Sequence, residues 1–270
     1  MSATGAPACQ LTRRWPALRS RLRLRRLKRL AEKTPRFSPG RIRIDGLDLA
    51  YTDLLSLYME YKDIFVRRIY HFQPPAGSPR IIDGGGCIGM SALYFKRVCS
   101  EARIICFEPD ETALSVLRRN LAANGAGDVE VLPAGLAAED GTAAFVPDGS
   151  DGGRIAAESD SPVIIRTMRL SPYLDAEVDF LKLNIEGQEL PVLQEVEAAG
   201  RLRQVRELVL EYHGWAGAPQ RLGEILHLLD RNGFRYLVHD FDNQTCPASK
   251  PPFRITPRKT WFCLVYGLRV

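Results

Sequence analysis

Four glycines stand within the seven residues Asp83-Gly84-Gly85-Gly86-Cys87-Ile88-Gly89. A turn with so few side chains lets backbone N–H groups come close to a ligand, and a helix starting after it would aim its N-terminus at the same point. Gly84, Gly86 and Gly89 satisfy G-x-G-x-x-G, a weak pattern alone and a stronger one between a strand and a helix. Glu108 lies 19 residues beyond Gly89, at the end of the next apolar run. There a carboxylate can accept both hydroxyls of an adenosine ribose. Two ligand classes compete for such a turn. A dinucleotide would press an anionic pyrophosphate against Asp83, which repels it. S-adenosylmethionine carries a cationic sulfonium and an ammonium and no phosphate, so a carboxylate beside the turn helps to hold it, directly or through water. The sign of Asp83 favours the methyl donor. The alternative is that Asp83 only caps the following helix.

Further along, Asn184, Glu186, Glu211 and His213 fall at the carboxyl ends of later apolar runs, the edge at which open α/β sheets bind ligands. A hydroxyl that is to receive a methyl group is a poor nucleophile near neutral pH, so a base is expected there. His213 has the intrinsic pKa for the task, with Glu186 orienting it or serving instead. The plainer readings are a hydrogen-bonded structural histidine and a glutamate that caps the next helix. Tyr61, Asp63 and Phe65, and Arg154 in a Gly-rich stretch, are candidates to line the acceptor pocket; Phe65 reads equally as core and Arg154 as a solvated charge. His227 sits in an apolar helical pattern and reads as packing. His239 and Asp242 flank a late loop and are secondary candidates for the acceptor site.

These residues need elements to position them. Apolar runs at 80–83, 103–108, 129–133, 179–184 and 206–212 read as strands. Helical patterns at 90–99 and 111–124 separate the first three, and others follow the fourth and fifth at 189–199 and 219–231. Such alternation implies right-handed crossovers and a mostly parallel sheet covered on both faces. Runs at 234–240 and 260–268, joined without a helix, read as a closing antiparallel pair. Residues 41–50 alternate like a strand with a turn at Asp45-Gly46, 52–71 read as a helix, and 148–162 as an exposed loop. The domain reading is a basic N-terminal extension and linker at 1–40, then one domain over 41–270, divided into an N-terminal cap at 41–78 and a core at 79–270.

Composition sets bounds. Of 270 residues, 45% are hydrophobic and 26% charged, values that exclude wholesale disorder. The six cysteines form no CxxC pair, which argues against a zinc module or a disulfide framework, and no metal is expected. With no membrane-length apolar run and no secretion-signal pattern, the expected address is cytoplasmic. Residues 11–33 hold ten basic residues and one acid, so the net charge of +5 leaves the other 247 residues at −4. Leu11, Trp15, Leu18, Leu22, Leu27 and Leu30 recur at helical spacing within that segment. Such a helix can lie on an anionic membrane surface, peripheral at its inner face, or meet nucleic acid; otherwise it is a solvated helix whose leucines pack on the body or a partner.

In this order the segments YKDIFVRRIYHF, IIDGGGCIGMSALYFKR, FEPDETALSVLRRN, GLAAEDGTAAF, VDFLKLNIEGQELPVL and LVLEYH resemble the FkbM-type family of S-adenosylmethionine-dependent methyltransferases, over roughly residues 58–240. The resemblance implies a class I methyltransferase fold, an α/β Rossmann-like sheet of seven strands with the last antiparallel. It implies methyl transfer to a hydroxyl oxygen of a sugar, a glycan or glycolipid precursor, or a natural product. By the same resemblance Asp83, Gly85 and Gly89 hold the methionine part of the cofactor, Glu108 the ribose, and 134–141, with Gly135, lies near the adenine. Gly84, Gly86, Cys87 and Pro109 complete the turns that would hold the cofactor. The fourth core strand commonly ends Asp-x-Glu-Gly in this family; here it reads Asn184-Ile185-Glu186-Gly187. Asparagine cannot act as a base, yet it can accept a hydrogen bond from an ammonium or orient a hydroxyl.

Three other functions fit parts of the sequence. The basic helix suits a nucleic-acid methyltransferase, against which stand the acidic body and the lack of a base-methylation motif such as Asn-Pro-Pro-Tyr. The glycine turn suits a nicotinamide oxidoreductase, against which stands Asp83. Asn184 suits a scaffold that binds the cofactor with little turnover.

Overall fold

The computed structural model describes residues 17–149, 152–155, 162–240 and 260–270. Cys9, Leu11, Trp15, Asp242 and Cys246 lie outside the described residues, as does part of the stretch read as a loop at 148–162. The chain divides into two compact units, Met1–Pro133 with Asp148–Gly152, and Ala134–Pro147 with Gly153–Val270.

The first unit opens with helix α1 (Ala17–Lys33) and a hairpin, β1 (Gly40–Ile44) and β2 (Leu47–Tyr51). Its two-residue turn places Asp45 at φ 49° and Gly46 at φ 88°, the left-handed pair that matches strand twist and that Asp-Gly favours. Helix α2 (Leu54–Glu60) starts where the Asp53 carboxylate accepts the Ser56 N–H. The single helix expected over 52–71 is not formed. After Glu60 the backbone widens into a π-helix over Tyr61–Arg67, which ends at Arg68 in the left-handed region. Then come β3 (Arg80–Gly84), α3 (Met90–Val98), β4 (Arg103–Phe107), α4 (Glu111–Ala123) and β5 (Glu130–Leu132). β3, β4 and β5 run parallel, with Asp83 paired to Cys106 and Phe107 to Leu132. Ile81, Ile82, Phe107 and Leu117 are buried between strands and helices. Asn120, fully buried on α4, donates to the carbonyls of Ala50 and Ile88 and accepts the Ala50 N–H. One amide thereby fixes both the hairpin and the far end of the glycine turn.

The second unit begins with a small sheet that the sequence did not suggest. β6 (Gly135–Leu136), β7 (Gly141–Val146), β8 (Arg154–Ile155) and β9 (Val163–Met168) take the order β6-β9-β7-β8. Arg154 and Ile155, expected in a loop, thus form an edge strand. β10 (Val178–Leu183), α5 (Glu189–Ala198), β11 (Val205–Gly214), α6 (Leu222–Arg231), β12 (Phe234–His239) and β13 (Trp261–Arg269) follow. β10 and β11 are parallel, and β13 is antiparallel to both β11 and β12. The first unit thus holds three parallel strands and the second holds four beyond its small sheet, of which β13 runs against β11 and β12, the α/β architecture expected. No helix among the described residues is long and apolar enough to cross a membrane.

Candidate active site

In the first unit, β3 delivers the chain into a turn that closes on β4. The N–H groups of Gly85 and Gly86 both donate to the Phe107 carbonyl, at 3.0 and 2.9 Å, and Gly89 N–H donates to Gly86 O. Gly85 and Gly89 stand at φ 83° and 90°, conformations that cost other residues strain. Gly86 is required for a different reason: a Cβ there would lie 2.3 Å from Cys106 Sγ and 2.9 Å from Leu117 Cδ1. Cys87 adopts φ 46°, unusual for a residue with a side chain. Its N–H donates to Glu108 Oε2 at 2.7 Å, and Asp110 N–H donates to Glu108 Oε1 at 2.8 Å. Glu108 therefore clamps the turn across Pro109 as well as facing it. Each carboxylate oxygen can accept more than one hydrogen bond.

Asp83 has no solvent-exposed surface and accepts the Ser91 hydroxyl, with Cys106 Sγ 3.9 Å away. α3 is headed by Gly89 and has no side-chain cap. A third carboxylate escaped the sequence reading: Glu60, the last residue of α2, lies 3.5 Å from Cys87 Sγ. Three acids around one glycine turn suit a cationic ligand and oppose a pyrophosphate.

Tyr61 is drawn inward, 2% exposed, with its hydroxyl donating to Asp45 and its ring stacked on Phe65 at 5.4 Å. Burial pushes its pKa up to about 12. A side chain so engaged offers no surface to an acceptor, and Phe65 is core. Asp63, also buried, pairs with Lys62 and Arg67.

The second unit carries a different turn. β10 ends at Leu183, and Asn184-Ile185-Glu186-Gly187 leads into α5. Glu186 takes φ 54° and Gly187 φ 102°. The buried Glu189 carboxylate, which the sequence reading overlooked, accepts the N–H groups of Ile185 and Gly187, both at 3.0 Å. Burial raises its pKa to about 7 despite those donors. Glu186 does not cap α5, whose N-cap is Gln188.

With its backbone held this way, Glu186 meets the end of β11. His213 Nε2 lies 3.4 Å from Glu186 and 3.6 Å from Glu211, and all three side chains are nearly buried. Asn184 Nδ2 donates to Glu211 at 3.4 Å. Burial pulls the imidazole down to about 4, while two adjacent carboxylates favour its protonated form. The ring stacks on Trp215 at 5.4 Å, and the exposed Arg154 guanidinium lies over the same indole at 4.8 Å. Trp215 also escaped the sequence reading. Asn184 Oδ1 and Trp215 Nε1 are buried without hydrogen-bond partners among the described residues. Unfilled polar atoms of this kind mark a place for a polar ligand. His227, expected to pack, is exposed on α6, and His239 is exposed at the end of β12. Among the described residues no group of three His, Cys, Asp or Glu side chains is arranged to hold a metal.

Residues 83–236 match the methyltransferase FkbM domain. The chain is 29% identical over 235 residues to Methyltransferase sdnD of Sordaria araneosa, covering 73% of this chain and 89% of that one. It is 29% identical over 161 residues to Methyltransferase 1 of Beauveria bassiana, covering 50% and 65%. Among solved structures it is similar to M. jannaschii TYW2 in complex with AdoMet, at 11% identity and a TM-score of 0.47, covering 88% and 89%.

Proposed function

This chain belongs to the FkbM family of methyltransferases and is an S-adenosylmethionine-dependent methyltransferase, and we propose that it methylates a hydroxyl oxygen of a sugar, glycan precursor or natural product. The observation that carries this reading is the buried imidazole of His213 between Glu186 and Glu211. When bound, the cofactor supplies an electrophilic methyl group on a positively charged sulfur. The chain's own residues do the rest. The glycine turn admits a ligand close to its backbone, and Glu108 accepts the ribose hydroxyls while keeping Cys87 in its left-handed conformation. Asp83 and Glu60 add negative field that suits a cation.

The acceptor needs alignment and removal of its proton. Burial keeps His213 neutral. With Nε2–H directed at the two carboxylates, Nδ1, buried without a hydrogen-bond partner among the described residues, is the nitrogen left to take a proton from a hydroxyl. The imidazolium that forms is then stabilised by the two carboxylates, as the acid of a catalytic triad stabilises its histidine. Asn184 orients Glu211 by donating to it and leaves Oδ1 to accept from a ligand. That division of labour explains how an asparagine can stand at this position without loss of the base.

A screen with methyl-labelled S-adenosylmethionine over sugars, glycolipid precursors and small hydroxylated natural products tests the proposal. Label in an alkali-stable ether is expected with the wild type, and His213→Ala should lose it while still binding the cofactor. Label found in a nucleic acid or on an amine, or full turnover in His213→Ala, would contradict it.

A further inference from the structure

Helix α1 is only half used by the fold. Leu27 and Ala31 are buried, at 5% and 2% exposure, and seat the helix on the first unit. At 3.6 residues per turn, Leu22, Arg25 and Arg29 fall on the opposite side from Leu27. Leu22 is 61% exposed and Leu30 48%. Leucines in water interleaved with arginines are the wrong composition for a merely solvated face. Arg23 pairs with Asp45 and Lys28 with Glu32, whereas no acid among the described residues pairs with Arg25, Arg26 or Arg29.

The chain beyond the helix repeats the combination. Phe37 is 56% exposed and held at φ 56°. Its N–H and the Arg36 Nε both donate to the buried carboxylate of Asp53, at 2.7 and 2.9 Å. Arg36 lies 4.9 Å over the phenylalanine ring. A buried acid thus maintains a strained turn whose outcome is an aromatic ring and a guanidinium facing solvent. Strain that the fold holds in place points to use.

We propose that the outer face of α1, continued by Arg36 and Phe37, is a docking surface for an anionic lipid bilayer. The arginines meet acidic headgroups and Leu22, Leu30 and Phe37 enter the acyl boundary. Nucleic acid would satisfy the cations alone and leave the three apolar side chains without a role. The surface uses none of the residues assigned to methyl transfer and does not depend on that assignment.

Sedimentation of the full chain with vesicles tests the proposal, using phosphatidylcholine alone and phosphatidylcholine with phosphatidylserine. Binding is expected to the acidic vesicles only and to weaken with salt. R25E/R26E/R29E should reduce it on the order of 100-fold, at roughly fivefold for each cation removed and more for the reversal. L22S/L30S should also reduce it by about tenfold or more. These side chains are exposed, so circular dichroism and cofactor binding should match the wild type in both variants. Failure to sediment with acidic vesicles would overturn the proposal. So would binding that L22S/L30S leaves unchanged, or tight salt-sensitive RNA binding that R25E/R26E/R29E abolishes without any vesicle binding.

Discussion

Two turns at strand ends, one in each unit, solve the same backbone problem with different parts. In the first, Cys87 at φ 46° is held by a carboxylate from the end of the neighbouring strand, Glu108. In the second, Glu186 at φ 54° is held by a carboxylate from the helix that follows, Glu189, which takes the N–H groups on either side. The first turn is nearly bare of side chains and has acids around it. The second turn is crowded with polar and aromatic groups. A site that binds a cationic ligand through backbone approach needs absence of bulk. A site that moves a proton needs a base with partners at fixed distances. The division predicts that damage to the second turn appears in turnover, and damage to the first in affinity and folding.

The largest expected effect is at His213. Replacement by alanine should lower kcat by roughly 10²–10⁴-fold with cofactor affinity unchanged, read by labelled-methyl transfer and calorimetry on one preparation. A loss confined to cofactor affinity would erase the distinction between the two turns.

Next in size is Gly86→Ala. The added methyl meets Cys106 Sγ at 2.3 Å, an overpacking that costs about 1–3 kcal/mol, visible in thermal unfolding and in weakened cofactor binding. Unchanged melting would mean that the turn yields where packing says it cannot.

Glu189 gives a pH dependence. Its carboxyl is raised from 4.5 to about 7 by burial, so between those values the folded chain binds more protons than the unfolded one. Its contribution to stability is full below about 4.5 and lost as pH rises through 7. Glu189→Gln should flatten that slope in urea titrations between pH 5 and 8, conditions chosen to span the shift. The same variant should lower turnover, because glutamine cannot accept both N–H groups through two carboxylate oxygens. A slope identical to the wild type would show that another group titrates there.

Arg154→Ala is the smallest. The exposed guanidinium over Trp215 is worth about 0.5–1 kcal/mol, a change to look for in indole fluorescence and in acceptor KM, with kcat kept. A collapse of kcat would move Arg154 from the edge of the second site to its centre.

The first turn was largely legible in the sequence, because glycine at φ 83° and 90°, or against a neighbouring sulfur, is a local requirement that leaves its mark in residue type. Parallel strands and their helices were legible for the same reason, through period and breaker residues. What escaped was tertiary. Glu60 reaches Cys87 from 27 residues away, Trp215 lies against His213 with nothing distinctive around it in sequence, and Glu189 looks like any acid in a first helical turn. The strands over 135–168 were missed because they are short, interrupted and only partly buried. Tyr61 misled because its neighbours resemble an exposed approach to the core, while the π-helix turns it onto Asp45.

The central claim is that the acid-ringed glycine turn holds S-adenosylmethionine through Glu108. Calorimetric titration of that compound into the wild type and Glu108→Ala, each checked for folding by circular dichroism, tests it most directly. Saturable binding by the wild type, weakened by about tenfold or more in the variant, is predicted from the loss of one charged hydrogen-bonding partner. Absence of heat in the wild type, or equal affinity in a folded Glu108→Ala, would contradict it.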